Sequence, residues 1–129
     1  MNKLGIIGGM GPLATQLLYK RITERTDAAC DQEHIDMIIL SHASMPDRTA
    51  AIRSGKTAEV ERLLSEDVKF LEKNGVSAIA IPCNTSHYFW QTLQEKTAVP
   101  IINMVRETVM QVKKKNPKKI GILATDGTV

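Results

Sequence analysis

Short apolar runs alternate along this chain with longer stretches whose apolar residues recur at helical spacing. The runs are rich in isoleucine and have the length of buried strands. Strands are predicted at residues 3–8, 36–40, 76–81, 99–102 and 119–124. The clearest helix is predicted at residues 57–74, with one side formed by Val60, Leu63, Leu64, Val68 and Leu71. Gly75 follows that helix as a natural stop.

Further helices are predicted between the strands, at residues 12–28, 85–96 and 103–115, with Asn103 as the cap of the last one. Residues 41–55 are predicted to be a long polar connection, and connections of that length are often functional. The alternation of strands and helices predicts an α/β fold: an open, mostly parallel sheet with helices on both faces.

Several polar or glycine-rich segments follow directly after the predicted strands. In a parallel sheet such connections leave at one edge, and ligands bind outside that carboxyl edge. Here the edge is expected to collect residues 8–11, 41–48, 83–87, Asn103 and 125–128. A binding or catalytic site is therefore predicted among these segments.

Cys83 stands between a predicted strand and a predicted helix, where a helix N-terminus favours the thiolate form of a cysteine. The alternative is that Cys83 is an inert small apolar residue and Asn84 a helix cap. His87 lies one turn later, so it either pairs with the Cys83 thiol or only covers the helix. Cys30 follows the first helix, which leads away from this edge, and is expected to be a packed or surface thiol.

Two other features of the edge allow anion binding. The guanidinium of Arg48 can hold a carboxylate in a fork, although an exposed arginine paired with Asp47 is the alternative. Residues 9–14 formally fit a dinucleotide fingerprint, which would suggest a nicotinamide enzyme. The second strand, however, ends in Leu40-Ser41-His42 and lacks the acidic residue that such a site needs. The loop can still offer backbone N–H groups to a carboxylate or phosphate.

Length and composition narrow the class of protein. The chain has 129 residues, enough for one ordinary domain, and its 43% hydrophobic and 24% charged residues are typical of a globular protein. No apolar run approaches the roughly 20 residues of a membrane span. The N-terminus lacks the pattern of a signal peptide. A cytoplasmic protein without membrane contact and with free thiols is expected.

The formal net charge of +3 does not indicate nucleic-acid binding. Five of the 17 basic residues lie between Lys113 and Lys119, and without them 12 basic residues face 14 acidic ones. The surplus is therefore one local lysine cluster at a predicted helix end, where cations suit the helix dipole. No nucleic-acid partner is expected.

Four motifs resemble those of the aspartate/glutamate racemase family. Residues 4–12 resemble its opening motif, and residues 81–87 look like its first cysteine motif. Residues 41–48 match its loop after the second strand, and residues 120–128 match the opening of its second domain. The resemblance implies the flavodoxin-like half of a two-domain enzyme that inverts the α-carbon of an acidic amino acid, aspartate or glutamate, without pyridoxal phosphate, metal or other cofactor.

In that family two cysteines, one from each domain, flank the substrate. One thiolate takes the α-proton, and the opposite thiol returns a proton to the other face. The resemblance assigns this acid/base role to Cys83. It also implies a substrate-binding set in which a dicarboxylate amino acid is held by Met10, Gly11, Arg48, Asn84, Thr85 and Thr125.

The second cysteine of the family belongs to the second domain, which this sequence only begins. Residues 1–116 are expected to form the first domain, and residues 117–129 the first strand and loop of an incomplete second one. The 129-residue chain alone is therefore expected to be inactive. The alternatives are a non-catalytic carboxylate-binding or oligomerisation module and a related cysteine-based isomerase of small dicarboxylates. A homodimer is expected, because an unpaired last strand invites association.

Overall fold

The computed structural model describes residues 2–128 and contains a parallel three-stranded sheet. Strand β1 (Lys3–Gly8) lies between β2 (Asp36–Ser41) and β3 (Ala78–Ala80). The β1–β2 register runs from Lys3 opposite Asp36 to Gly8 opposite Ser41. Because the strands are parallel, the loops that follow them leave at the same edge, as the sequence pattern predicts.

Five helices accompany the sheet in the described part of the chain, which confirms the α/β class. They are α1 (Pro12–Arg25), α2 (Arg48–Ser54), α3 (Ala58–Lys73), α4 (Trp90–Gln94) and α5 (Met104–Lys114). Short 3-10 helices lie at Asp31–Glu33 and Thr85–Phe89, and the second runs directly into α4. The long helix predicted at residues 57–74 is confirmed as α3.

The glycines of β1 show that helices cover both faces of the sheet. A Cβ atom added at Gly5 would meet the Leu71 side chain of α3 at 2.9 Å, whereas one at Gly8 would meet the Thr15 side chain of α1 at 2.4 Å. Side chains three positions apart in a strand point to opposite faces. The α3 and α1 helices therefore pack on opposite sides of β1.

The main core lies on the α3 side. Five residues of α3 are buried, namely Val60, Leu64, Ser65, Val68 and Leu71. They join Ile7 of β1, Ile79 of β3, and Phe89 and Leu93 from the segment that contains α4. This side has the continuous apolar packing that fixes the sheet and, with it, the position of the loops.

The opposite side is packed more loosely. Thr15 is the buried residue of α1, and the described residues of α5 are all at least partly exposed. Between the two helices an open, almost wholly apolar groove of about 600 Å³ is lined by residues that include Leu4, Leu18, Ile22, Ile102 and Val112.

The predicted strand at residues 99–102 is wrong in extent. It reduces to a single parallel bridge between Ile79 and Ile101, with Ile79 donating to the Pro100 carbonyl at 2.9 Å and Ile102 donating to the Ile79 carbonyl at 2.8 Å. Pro100 has no N–H to extend the ladder, and Asn103 already caps α5. The segment is therefore too short to become a regular strand.

The predicted strand at residues 119–124 does not form. These residues have no regular secondary structure, and Ile120, Ile122 and Leu123 are exposed. The segment shares a hollow of about 480 Å³ with Val105 and Val109 of α5. A strand needs a neighbouring backbone edge to pair with, and a helix does not provide one.

The predicted polar connection at residues 41–55 contains a helix, α2. Asp47 caps it, because its Oδ1 accepts a hydrogen bond from the Ala50 N–H at 2.8 Å. Gly55 ends it in the left-handed conformation, with φ of 69°. The Asp47 cap and the Gly55 stop are both visible in the sequence. The helix between them has only 7 residues and lies in a polar segment, so it lacks the apolar repeat by which longer helices are predicted.

Candidate functional site at the carboxyl edge

Three loops of the predicted site converge where the strands end. Met10 follows β1 and is buried, the loop after β2 leads to Arg48, and buried Cys83 follows β3. Arg48 Nη2 donates to the Met10 carbonyl at 3.4 Å, and Ser86 Oγ lies 3.8 Å from Met10 Sδ as a donor. The three loops are therefore tied to one another through Met10.

The glycine loop after β1 packs backbone against backbone. Gly9 has a φ of 87°, and an added Cβ would meet the His42 backbone nitrogen at 2.5 Å. The His42 N–H donates to the Gly8 carbonyl at 3.0 Å, which joins the first two loops. Only glycine meets both the positive φ and the close approach at Gly9.

Thr15 of α1 holds the other side of this loop. Its Oγ1 accepts a hydrogen bond from the Gly9 N–H at 2.9 Å and donates to the Gly11 carbonyl at 3.2 Å. Gly11 itself is exposed and caps α1 without a side chain. The N–H of Gly9 is therefore already used by the protein, which leaves fewer donors for an anion than the motif suggests.

Arg48 is half-buried and is held by backbone carbonyls instead of by Asp47. Its Nη1 donates to Pro46 O at 3.0 Å and to Met45 O at 3.4 Å, and its Nη2 donates to Met10 O at 3.4 Å. The Nε atom is buried and has no hydrogen-bond partner within residues 2–128. A guanidinium has five N–H groups, so the Nε–H is left unpaired in this part of the chain. A carboxylate can bind a guanidinium edge in a fork, but here the Nε side of that edge is covered by protein atoms.

Cys83 follows β3 and is buried with the main core. Its N–H donates to the Ile81 carbonyl at 2.8 Å, which turns the chain sharply after the strand. His87 does not pair with the thiol. Its Nδ1 lies 2.8 Å from the Cys83 carbonyl oxygen, and its Nε2 accepts a hydrogen bond from the Met104 N–H at 3.0 Å.

The remaining predicted substrate residues divide into two groups. Thr85 is buried, and its Oγ1 lies 3.1 Å from Thr125 Oγ1 and 3.4 Å from Thr128 Oγ1, so the segment after residue 124 covers it. Asn84 precedes the 3-10 helix but makes no side-chain capping bond, and it is exposed. The structure therefore brings Thr85 and Thr125 together, whereas the Asn84 amide is exposed and does not cap the helix.

Cys30 lies apart from this edge. It is exposed and lies on the connection between α1 and the start of β2. Parallel strands begin at the edge opposite the one where they end, so Cys30 lies toward the amino edge of the sheet.

One polar pair near the edge was missed by the sequence interpretation. His42 Nδ1 lies 2.8 Å from Asp67 Oδ2, and both side chains are mostly buried. Asp67 is three positions after Leu64 and four before Leu71, so it lies on the apolar side of α3. A carboxylate in that position was the signal for a buried partner.

Within residues 2–128, no helix has the length and apolar character that crossing a bilayer requires. The same part of the chain brings together no three histidine, cysteine or acidic side chains that could hold a metal ion.

The sequence matches the family described as Asp/Glu/Hydantoin racemase over residues 7–129. It is 30% identical to the broad specificity amino-acid racemase RacX of Bacillus subtilis (strain 168) over 131 residues, which cover 98% of this chain and 56% of RacX. It is 36% identical over 80 residues to glutamate racemase of Aquifex pyrophilus, a match that covers 60% of this chain and 31% of that enzyme.

Solved structures give the same result. The aspartate racemase of Picrophilus torridus superposes with a TM-score of 0.76 at 29% identity, covering 89% of this chain and 48% of that one. An aspartate racemase homologue from Pyrococcus horikoshii OT3 superposes with a TM-score of 0.73 at 26% identity, covering 89% and 50%. The chain thus spans about half the length of RacX and of both structures. It belongs to the Asp/Glu/hydantoin racemase family.

Proposed function

We propose that this chain carries the first half of a cofactor-independent racemase site for an acidic amino acid, with Cys83 as the acid/base thiol. The observation that carries the proposal is the convergence of buried Cys83 and the unpaired Nε–H of Arg48 around Met10. Family membership supports amino-acid racemisation as the reaction of the whole protein. The matched relatives are named as glutamate, aspartate and broad-specificity racemases.

Arg48 is the proposed anchor for the side-chain carboxylate of the substrate. Three of its N–H groups are used by the carbonyls of Met10, Met45 and Pro46, and this fixes the guanidinium plane. When the atoms that cover Nε move aside, the remaining edge meets a carboxylate with little loss of side-chain freedom. A dicarboxylate also supplies a partner for the buried Nε–H, which otherwise stays unsatisfied at a cost.

The reaction itself needs an acid/base group on each face of the α-carbon. The Cys83 thiolate takes the α-proton and becomes a thiol, while the substrate becomes an enolate-like carbanion stabilised by hydrogen-bond donors such as Asn84 and Thr85. A second thiol on the opposite face then gives its proton to carbon and becomes a thiolate.

This chain is proposed to supply only one of those two thiols. Cys30 is exposed and lies toward the other edge of the sheet. We therefore keep residues 117–129 as the proposed start of a second domain, and Thr125 as a site residue that approaches Thr85 from that segment. A non-catalytic carboxylate-binding module and a dicarboxylate isomerase use the same Arg48 edge. Inversion at the α-carbon of aspartate or glutamate distinguishes the racemase from both.

Substrate binding is the first prediction. Aspartate titrated into the chain should shift the Arg48 side-chain NMR signals, and Arg48→Lys should weaken binding about tenfold, because lysine keeps the charge but loses the fork. Arg53→Lys is the matched control, since Arg53 is an exposed α2 residue paired with Asp126. Equal affinity of parent and Arg48→Lys would contradict the proposed anchor.

Exchange at the α-carbon tests the half-site. Conversion of L-aspartate or L-glutamate in D₂O into the D-enantiomer labelled at the α-carbon should be absent or very slow with this chain, because inversion needs an acid/base group on each face. Fast inversion that is lost in Cys83→Ser but kept in Cys30→Ser would disprove the half-site while keeping Cys83 as the base. Exchange that keeps the configuration and is lost in Cys83→Ser would support Cys83 as the base of a half-site, because one thiolate suffices for it. Binding of aspartate without exchange, combined with cis–trans conversion of a maleate-like diacid, would favour the isomerase.

A further inference from the structure

His87 connects two segments of the carboxyl edge through both nitrogens of its ring. Nδ1 lies 2.8 Å from the Cys83 carbonyl oxygen, and Nε2 lies 3.0 Å from the Met104 backbone nitrogen. Met104 is the first residue of α5, and the N–H groups of a first helical turn have no partner within the helix. His87 therefore caps α5 and binds the backbone of Cys83 at the same time.

The two partners determine the protonation of the ring. A backbone N–H can only donate, so Nε2 must be unprotonated to accept from Met104. A carbonyl oxygen can only accept, so Nδ1 must carry the hydrogen that it donates to Cys83. One form of histidine satisfies both bonds, the neutral ring with hydrogen on Nδ1. Free histidine in water prefers the other neutral tautomer, so the fold selects the less common one.

These bonds give His87 a role different from that of a base for the thiol. Both nitrogens are engaged by backbone groups, and neither is left to take a proton from Cys83 Sγ. We propose that His87 is a positioning residue, which holds Cys83 by its carbonyl and ties it to the start of α5 as a neutral, tautomer-locked bridge. The assignment to an acid/base cysteine rests on the proposed function, whereas the locked tautomer stands on the two hydrogen bonds alone.

A second bond between the same two regions provides a control. Trp90 Nε1 donates to the Ile101 carbonyl at 2.8 Å, which also ties the segment after Cys83 to the segment before α5. Trp90 makes no hydrogen bond to the backbone of Cys83. A change in the reactivity of Cys83 that arises only from lower overall stability should therefore appear equally in variants of Trp90 and His87.

The tautomer is tested first, on the unaltered chain. Nitrogen-15 NMR of the His87 ring is expected to show a protonated, pyrrole-type Nδ1 and an unprotonated, pyridine-type Nε2 at neutral pH. A signal with hydrogen on Nε2, or a doubly protonated ring, would overturn the proposal. This measurement requires no variant and no substrate.

The positioning role is tested by the alkylation rate of Cys83 in a Cys30→Ser background, which leaves one thiol. His87→Asn keeps a donor at the Nδ1 position and should react at a rate within about twofold of the parent. His87→Gln keeps an acceptor for Met104 but loses the Cys83 bond. It should react about fivefold faster, because alkylation of the buried thiol requires local opening. The loss of one typical hydrogen bond raises the population of the open form by about that factor.

Trp90→Phe completes the series and should lower the melting temperature without changing the alkylation rate. The role of the bond to the Cys83 carbonyl would be refuted if His87→Gln were alkylated more slowly than His87→Asn. It would also be refuted if Trp90→Phe accelerated alkylation as much as His87→Gln does. Neither readout uses aspartate or turnover. A failed racemase proposal would therefore appear in the Arg48 titration and leave these results unaffected.

Discussion

Helices α3 and α5 lie on opposite sides of the sheet, and both carry apolar residues at helical spacing. The apolar residues of α3 pack into the core, with Leu64 and Leu71 fully buried. On α5, by contrast, Val105 and Val109 are 42% and 47% exposed. The difference lies in what surrounds each helix. The α3 helix packs against the sheet beside α4, whereas α5 borders an open groove and residues 120–124.

This comparison shows that an amphipathic pattern indicates which side of a helix can be buried but not how far it is buried. Apolar burial stabilises a fold in proportion to the area removed from water. The side with α3 should therefore hold the sheet together, while the side with α1 and α5 should tolerate change.

The largest difference is expected between two leucines on opposite sides. Leu64→Ala on α3 should lower the free energy of unfolding by about 3 kcal/mol, because it leaves a cavity in a fully buried position. Leu17→Ala on α1 is the matched control and should cost less than about 0.5 kcal/mol, since Leu17 is 53% exposed. Urea unfolding measures both. Similar losses would show that the α1 side is packed as tightly as the α3 side in solution.

A smaller loss of stability is expected at the close contact between β1 and α1, on the more loosely packed side of the sheet. Gly8→Ala places a Cβ 2.4 Å from the Thr15 side chain, which is stiff and hydrogen-bonded to the glycine loop. We expect a loss of about 2 kcal/mol from this overpacking. Gly5→Ala is the control on the other face, where the contact is the flexible end of Leu71. A larger loss at Gly5 than at Gly8 would contradict this reasoning.

The smallest effect is expected on the solvent side of α3. A hydrogen bond from Arg62 lowers the pKa of the Glu59 carboxyl below its ordinary value, and Arg62 also pairs with Glu66. A lowered pKa contributes stability above the ordinary carboxyl pKa, and this is lost as the pH falls through the lowered value. Because Glu59 and Arg62 are exposed, solvent screens the pair.

Glu59→Gln should therefore change the melting temperature at neutral pH only slightly, and the small difference should vanish in acid. Carbon-13 NMR of the Glu59 carboxyl should show titration below the ordinary range in the parent. In Arg62→Gln the titration should return to that range. An unchanged titration in that variant would remove the ion pair as the cause.

Much of the fold follows from local signals. Helix α3 was predictable because its apolar spacing, its length and the glycine after it agree. Helix α2 has a cap at Asp47 and a stop at Gly55, but a short helix in a polar segment lacks the apolar repeat that identifies longer ones. Residues 119–124 have the composition of a strand, yet pairing depends on a neighbour that sequence does not reveal.

The candidate site divides in the same way. Cys83, Arg48 and Met10 were predicted at one edge, because the order of strands and helices fixes where loops emerge. The hydrogen bonds among them were not predictable. Arg48 was expected either to pair with Asp47 or to bind a ligand, and in the structure backbone carbonyls hold three of its N–H groups. His42 alone gave no sign of its pairing with Asp67, because the two residues lie 25 positions apart, one after β2 and the other on α3.

The α/β class, the edge at which the candidate site lies and the family motifs were predictable from the sequence alone, because these depend on order and spacing along the chain. The three-dimensional packing was needed to establish how deeply each helix is buried, which donors of Arg48 are left unpaired and which tautomer of His87 satisfies both of its partners. Those properties depend on atoms from segments far apart in sequence. For His87 the deciding partners are the Cys83 carbonyl and the Met104 N–H, which no local pattern brings together.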